Sequence, residues 1–190
     1  MFARKRNLIV IILQMALWIL PLYAQVSFTA RRDFFSGNTF AITLATGDFN
    51  NDQILDLVVS NYDAGTLVVL LGDGRGGFVY SAEYPAGRAP FFAAVRDLNN
   101  DGNLDVVVAN FELPQVAVLL GDGQGRFSPS YFLVGDRNTG IAIDDFNMDG
   151  CWDIATANFG PFTVEDPCGQ VANSVSILLG DCTGNFVPPL

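Results

Sequence analysis

Three short stretches of this sequence carry side chains able to do chemistry, and all three carry the same kind. They are Asp48-Phe49-Asn50-Asn51-Asp52-Gln53-Ile54-Leu55-Asp56, Asp97-Leu98-Asn99-Asn100-Asp101-Gly102-Asn103-Leu104-Asp105 and Asp145-Phe146-Asn147-Met148-Asp149-Gly150-Cys151-Trp152-Asp153. Each places Asp at its first, fifth and ninth positions and Asn at its third. Alternate positions of a curled loop can turn to one side, and a hard cation such as Ca²⁺ takes about six to eight oxygens at about 2.3–2.6 Å. The expected side-chain ligands are therefore Asp48, Asn50, Asp52 and Asp56; Asp97, Asn99, Asp101 and Asp105; and Asp145, Asn147, Asp149 and Asp153. The seventh residue (Ile54, Asn103, Cys151) is expected to offer its backbone carbonyl. Gly102 and Gly150 occupy the sixth position, where the loop needs a positive φ. Gln53 stands there in the first loop, so that site is expected to be the weakest. One such cluster could equally be an ordinary Asx turn. Three in register, each gathering carboxylates that would otherwise repel one another, point to a divalent ion. An EF-hand is excluded, because its bidentate Glu is replaced at the twelfth position by Val59, Val108 and Thr156.

The elements that must position these loops recur with them. The leading aspartates Asp48, Asp97 and Asp145 are followed by Leu70-Leu71-Gly72-Asp73-Gly74, Leu119-Leu120-Gly121-Asp122-Gly123 and Leu178-Leu179-Gly180-Asp181-Cys182, the first two at the same distance and the third farther on. Each block runs on to a Gly-x-Phe ending in Phe78, Phe127 or Phe186, and the third unit is lengthened by an insertion, Gly160–Asn173. A third anchor sets an aromatic three residues before a glycine: Phe34/Gly37, Tyr84/Gly87 and Phe132/Gly135. Leu55–Asn61, Leu104–Asn110 and Trp152–Asn158 read as strands, as do Leu67–Leu71, Val116–Leu120 and Val175–Leu179. They are apolar on both faces, as expected of small sheets sandwiched between neighbours. Four strands in about 49 residues is the period of a propeller blade. The Gly-Asp-Gly blocks lack the Lys and Ser/Thr of a phosphate loop and no helix follows, so they are expected to be tight hairpins whose Phe packs between blades.

Composition removes other chemistries. There is no histidine, hence no Ser-His or Cys-His pair and no His-ligated zinc. Ten basic residues face 20 acidic ones, a net charge of −10. Phosphate backbones need clustered Lys and Arg, so nucleic acid is not an expected partner. Residues 1–24 read as a secretory signal, with basic Arg4-Lys5-Arg6, an apolar run from Leu8 to Leu22, and Ala24 before the expected cleavage point. That run is too short to span a bilayer, so no stable membrane insertion is expected after cleavage. Export would bring the chain into an oxidising, calcium-containing compartment, secreted or periplasmic.

Taken together, the Asp-x-Asn-x-Asp loop, the Val-rich strand ending in Asn-aromatic, the Leu-Leu-Gly-Asp block and Gly-x-Phe resemble the FG-GAP (VCBS-type) repeat of integrin-α-like propellers. The resemblance covers roughly residues 27–190; the name-giving Gly-Ala-Pro survives only as Gly87-Arg88-Ala89-Pro90. It implies an all-β partial propeller of about three four-stranded blades. Ca²⁺ would sit in the loop between strands 1 and 2 of each blade, and ligands often bind at the opposite face. After the leader, the blades are expected at about 38–86, 87–135 and 136–190, with 26–35 as an extra outer strand. Three blades do not close an ordinary ring. A missing portion or a homo-oligomer covering the open edge would explain the count.

On blade topology, loops 1–2 and 3–4 share one end, which predicts a Cys151–Cys182 disulfide and leaves Cys168 free or intermolecular. The insertion lies at the other end, either inert or a partner surface. The expected function is a secreted calcium-binding module for adhesion or another structural interaction, with a protein or glycan ligand and no catalysis. The alternative is an ancillary or fragmentary part of a larger exported lyase or hydrolase.

Overall fold

The computed structural model describes residues 31–37, 40–160 and 173–187. The leader, most of the expected strand 26–35, and residues 161–172 with Cys168 lie outside the described residues. The chain divides into two compact units, Met1–Asp33 and Phe34–Leu190. In the described part of the first, Arg31 Nε donates to Asp33 Oδ1 at 2.9 Å. Arg31–Gly37 takes no regular strand.

Among the described residues of the second unit, twelve strands form three antiparallel sheets of four and no helix occurs. Blade 1 holds β1 (Ala41–Gly47), β2 (Asp56–Asn61), β3 (Thr66–Gly72) and β4 (Phe78–Pro85). Blade 2 holds β5 (Pro90–Arg96), β6 (Asp105–Asn110), β7 (Gln115–Gly121) and β8 (Phe127–Leu133). Blade 3 holds β9 (Asn138–Asp144), β10 (Asp153–Phe159), β11 (Asn173–Gly180) and β12 (Phe186–Val187). Within each blade the strands lie in chain order, and the first strands run in succession, β1 beside β5 and β5 beside β9. The three sheets form an open partial propeller.

Why the central strands lack a two-residue alternation is plain from blade 2. All six residues of β6 are buried. Val106 and Val108 of β6, with Ala117 and Leu119 of β7, face a core shared with Phe49, Val58, Leu67 and Val69 of blade 1. The intervening Val107, Val116 and Val118 face a second core with Ile154, Leu178 and Phe186 of blade 3. A sheet buried on both sides gains from apolar residues at every position, each worth about 1.5–3 kcal/mol when fully enclosed.

The three sequence anchors meet at the blade junctions. Phe34 lies edge-on to Phe78, Tyr84 to Phe127 and Phe132 to Phe186, with ring centroids 5.4, 5.7 and 5.3 Å apart. Each glycine three residues after the first ring abuts an asparagine near the end of the next blade's second strand, the last residue of β2 and β6 and the last but one of β10. A Cβ on Gly37, Gly87 or Gly135 would stand 2.3–2.5 Å from the side-chain amide of Asn61, Asn110 or Asn158. The spacing between aromatic and glycine is therefore a junction motif.

Candidate metal loops and inter-blade clefts

Each acidic loop joins the first and second strands of its blade and is closed at its base by a strand pair. Gly47 pairs with Asp56, Arg96 with Asp105 and Asp144 with Asp153. The hairpins Asp73–Gly77, Asp122–Arg126 and Asp181–Asn185 join the third and fourth strands, so loops and hairpins share one end of the blades.

Within loop 1, Asp48 Oδ1 accepts from Asp52 N at 3.1 Å and Oδ2 from Gln53 N at 2.8 Å. Asn50 Nδ2 donates to Asp52 Oδ2 at 2.9 Å, and Ile54 N donates to Asp52 Oδ1 at 2.8 Å. Loop 2 repeats this bond for bond through Asp97, Asn99 and Asp101, and loop 3 through Asp145, Asn147 and Asp149. The structure thus brings the first, third and fifth residues of every loop together. Gly102 and Gly150 have φ of 87° and 90°, while Gln53 adopts 67°, a left-handed conformation that opposes its Cβ.

The ninth residue is employed differently. Asp56, Asp105 and Asp153 are fully buried, and both oxygens of each accept backbone N–H groups. Oδ2 takes the second loop residue, Phe49, Leu98 or Phe146, at 2.8–3.0 Å. Oδ1 takes the glycine that ends the third strand, Gly72, Gly121 or Gly180, at 2.8–2.9 Å. Each carboxylate therefore ties its loop to the hairpin beside it. Burial pushes the Asp105 carboxyl up to about 6, the backbone donors of Gly121 and Leu98 oppose the rise, and the charges of Asp101 and Asp97 add to it. Asp56 is raised for the same first cause. An oxygen accepting one N–H keeps a further lone pair, so these carboxylates retain acceptor capacity.

The donor set is entirely hard oxygen, which suits Ca²⁺ over softer ions. No ion pair joins Lys or Arg to a loop carboxylate among the described residues. Nor do three or more Cys, Asp or Glu there form a ready-made metal cluster. Sequence reasoning missed that second employment, and it missed the left-handed fourth residue: Asn51, Asn100 and Met148 have φ of 59°, 58° and 61°. Asn at two of these positions was the available signal. Met148 offered none.

The expected cysteine pair is present: Cys151 in loop 3 is bonded to Cys182 in the β11–β12 hairpin, with Cα atoms 4.9 Å apart. The Gly-Asp blocks are hairpins, and Asp73, Asp122 and Asp181 each accept backbone N–H groups of their own turn.

Two clefts open at the other end, one at each junction. Tyr62, Asp63, Arg88 and Glu112 line a cavity of about 430 Å³ between blades 1 and 2. Phe111, Glu112, Asp136 and Arg137 line one of about 480 Å³ between blades 2 and 3. Arg88 pairs with Glu112 at 2.9 Å, and the Arg137 guanidinium lies 5.9 Å from the Phe111 ring centre. Both clefts combine an aromatic ring, carboxylates and an arginine.

Three stacked four-stranded sheets with acidic first loops define a partial β-propeller of repeated blades. The chain belongs to the FG-GAP-like repeat family, whose model matches residues 48–108 and 97–156, together more than half of the chain. No curated protein matches it. Among solved structures it is similar to one described as the structural basis of specific recognition of non-reducing terminal N-acetylglucosamine by an Agrocybe aegerita lectin. The identity is 23% and the TM-score 0.46, over 77% of this chain and 36% of that one. The chain thus spans about a third of that protein's length.

Proposed function

We propose that this chain is an exported, calcium-stabilised propeller-repeat module that binds a protein or glycan ligand through the blade end opposite its acidic loops. The observation that carries the reading is the threefold loop, in which the same oxygen donors converge without a cationic side chain to balance them. Asp48, Asn50 and Asp52, with their counterparts in loops 2 and 3, would hold the ion. The carbonyls of Ile54, Asn103 and Cys151 and the spare lone pairs of Asp56, Asp105 and Asp153 would complete the set. Bound calcium supplies charge neutralisation and cross-linking, not a reaction. The protein's own residues do the rest: the ninth carboxylate fastens each loop to the third strand, so that ordering the loop orders the blade. On this reading the chain catalyses nothing, and the clefts with Tyr62, Phe111, Arg88 and Arg137 are the recognition surface. The signal-like leader and the Cys151–Cys182 bridge support export, because such bridges persist in oxidising compartments.

Extracellular modules bind calcium at about 10⁻⁴–10⁻³ M, so each site filled at millimolar calcium adds roughly 0.5–2 kcal/mol. A thermal melt of the chain in millimolar CaCl₂ is expected to lie about 5–20 °C above the melt in chelator. Tb³⁺ emission excited through Trp152, the eighth residue of loop 3, is expected to rise on binding and fall on adding Ca²⁺. Identical melts with no sensitised emission would refute the calcium reading.

A further inference from the structure

The two blade junctions are wired differently at the loop end. Across the first, Asn51 Nδ2, on the fourth residue of loop 1, donates to Asn103 Oδ1, on the seventh residue of loop 2, at 2.9 Å. Beside it Gly125 N, in the hairpin of blade 2, donates to Phe49 O of loop 1 at 2.8 Å. Gly123 leaves room for this contact: a Cβ there would stand 2.2 Å from Asn103 Oδ1 and 2.4 Å from Asn51 Nδ2. Across the second junction the matching residues are Asn100, Cys151, Cys182 and Gly184. Neither bond has a counterpart among the described residues, and Cys151 is turned instead into a bridge within its own blade.

We propose that loops 1 and 2 bind calcium as a coupled pair and that loop 3 binds independently. The inference rests on the calcium reading above. Asn103 lends its backbone carbonyl to site two while its side chain holds Asn51, one residue from Asp52 and two from Gln53. Filling loop 2 fixes the Asn103 backbone and so orders the acceptor that loop 1 leans on. Loop 1 needs that help most, because Gln53 is held at a φ of 67° where its counterparts are glycines. Loop 3 takes no part, since its seventh residue is already fixed by the disulfide.

Site-resolved titration tests this. In ¹⁵N–¹H spectra of the chain, the backbone amides of Gln53, Gly102 and Gly150, each donating to the first aspartate of its loop, report the three sites separately. Asp101→Asn, which disables site two, is expected to weaken calcium binding at loop 1 by about three- to tenfold, the worth of one to two hydrogen bonds, and to leave loop 3 unchanged. Asn51→Gly, which keeps the positive φ, and Asn103→Ala, which keeps the carbonyl, are each expected to remove the same coupling. The double variant should lose no more than either single. Loop 1 filling with unaltered affinity in Asp101→Asn overturns the proposal while the calcium reading survives. Amides that ignore calcium in all three loops remove both.

Discussion

In blade 2 the seventh loop residue, Asn103, meets Gly123 of the hairpin and reaches across to Asn51 of blade 1. In blade 3 the same two positions are Cys151 and Cys182, and a covalent bond replaces the polar contact. Blade 1 uses a third solution, with the Ile54 side chain 3.5 Å from where a Cβ on Gly74 would be. All three blades pin the acidic loop to the neighbouring hairpin, yet the means differ with the surroundings. Blade 2 is enclosed on both sides, and Val116 is 0% exposed; its counterpart Val175 in blade 3 is 66% exposed. In the enclosed blade an exposed polar contact, Asn103 with Asn51, is enough. A more open sheet holds its loop with a bond that does not depend on packing.

The brace at the ninth position is the feature both blades share, and removing it should produce the largest effect. Asp105→Ala leaves the buried N–H groups of Leu98 and Gly121 without acceptors, at about 1–3 kcal/mol each. Urea unfolding should show a loss of about 2–5 kcal/mol in calcium and in chelator alike, and a loss confined to calcium would make Asp105 a ligand alone. Next, transplanting the chemistry of blade 2 into blade 3 with Cys151→Asn and Cys182→Gly opens a loop of 31 residues' separation. The expected cost is about 2–4 kcal/mol. Full retention of stability would mean that the polar contact suffices even in the open blade. The smallest effect is expected at the junction rings: Tyr84→Leu removes the edge-on contact with Phe127 and should cost about 0.5–1.5 kcal/mol. No change in melting there would make the repeated aromatic a spacer and not a clasp.

Much of this was legible in the chain. The strands expected from Leu104–Asn110 and Val116–Leu120 are observed as Asp105–Asn110 and Gln115–Gly121, because a doubly buried strand must be apolar along its length. The Cys151–Cys182 pair followed from which loops share an end of a blade. The buried, two-handed role of Asp56, Asp105 and Asp153 was not legible: an Asp nine residues into an acidic loop looks like a ligand, and only the approach of Gly72, Gly121 and Gly180 shows what else it holds. In the sequence those glycines carry only the signature of a hairpin. In fact a Cβ on any of them would lie 2.1–2.3 Å from the carbonyl oxygen of Leu55, Leu104 or Trp152.

By itself, then, the amino-acid sequence determined the repeat, its strands and hairpins, and the oxygen-rich loops, since each depends on residues close along the chain whose spacing leaves a local signature. Only the tertiary structure decided which side chains meet from one blade to the next: Asn51 with Asn103, Tyr84 with Phe127, Arg88 with Glu112. Those meetings depend on how neighbouring sheets turn and stack, which the whole buried interface settles and no short motif encodes.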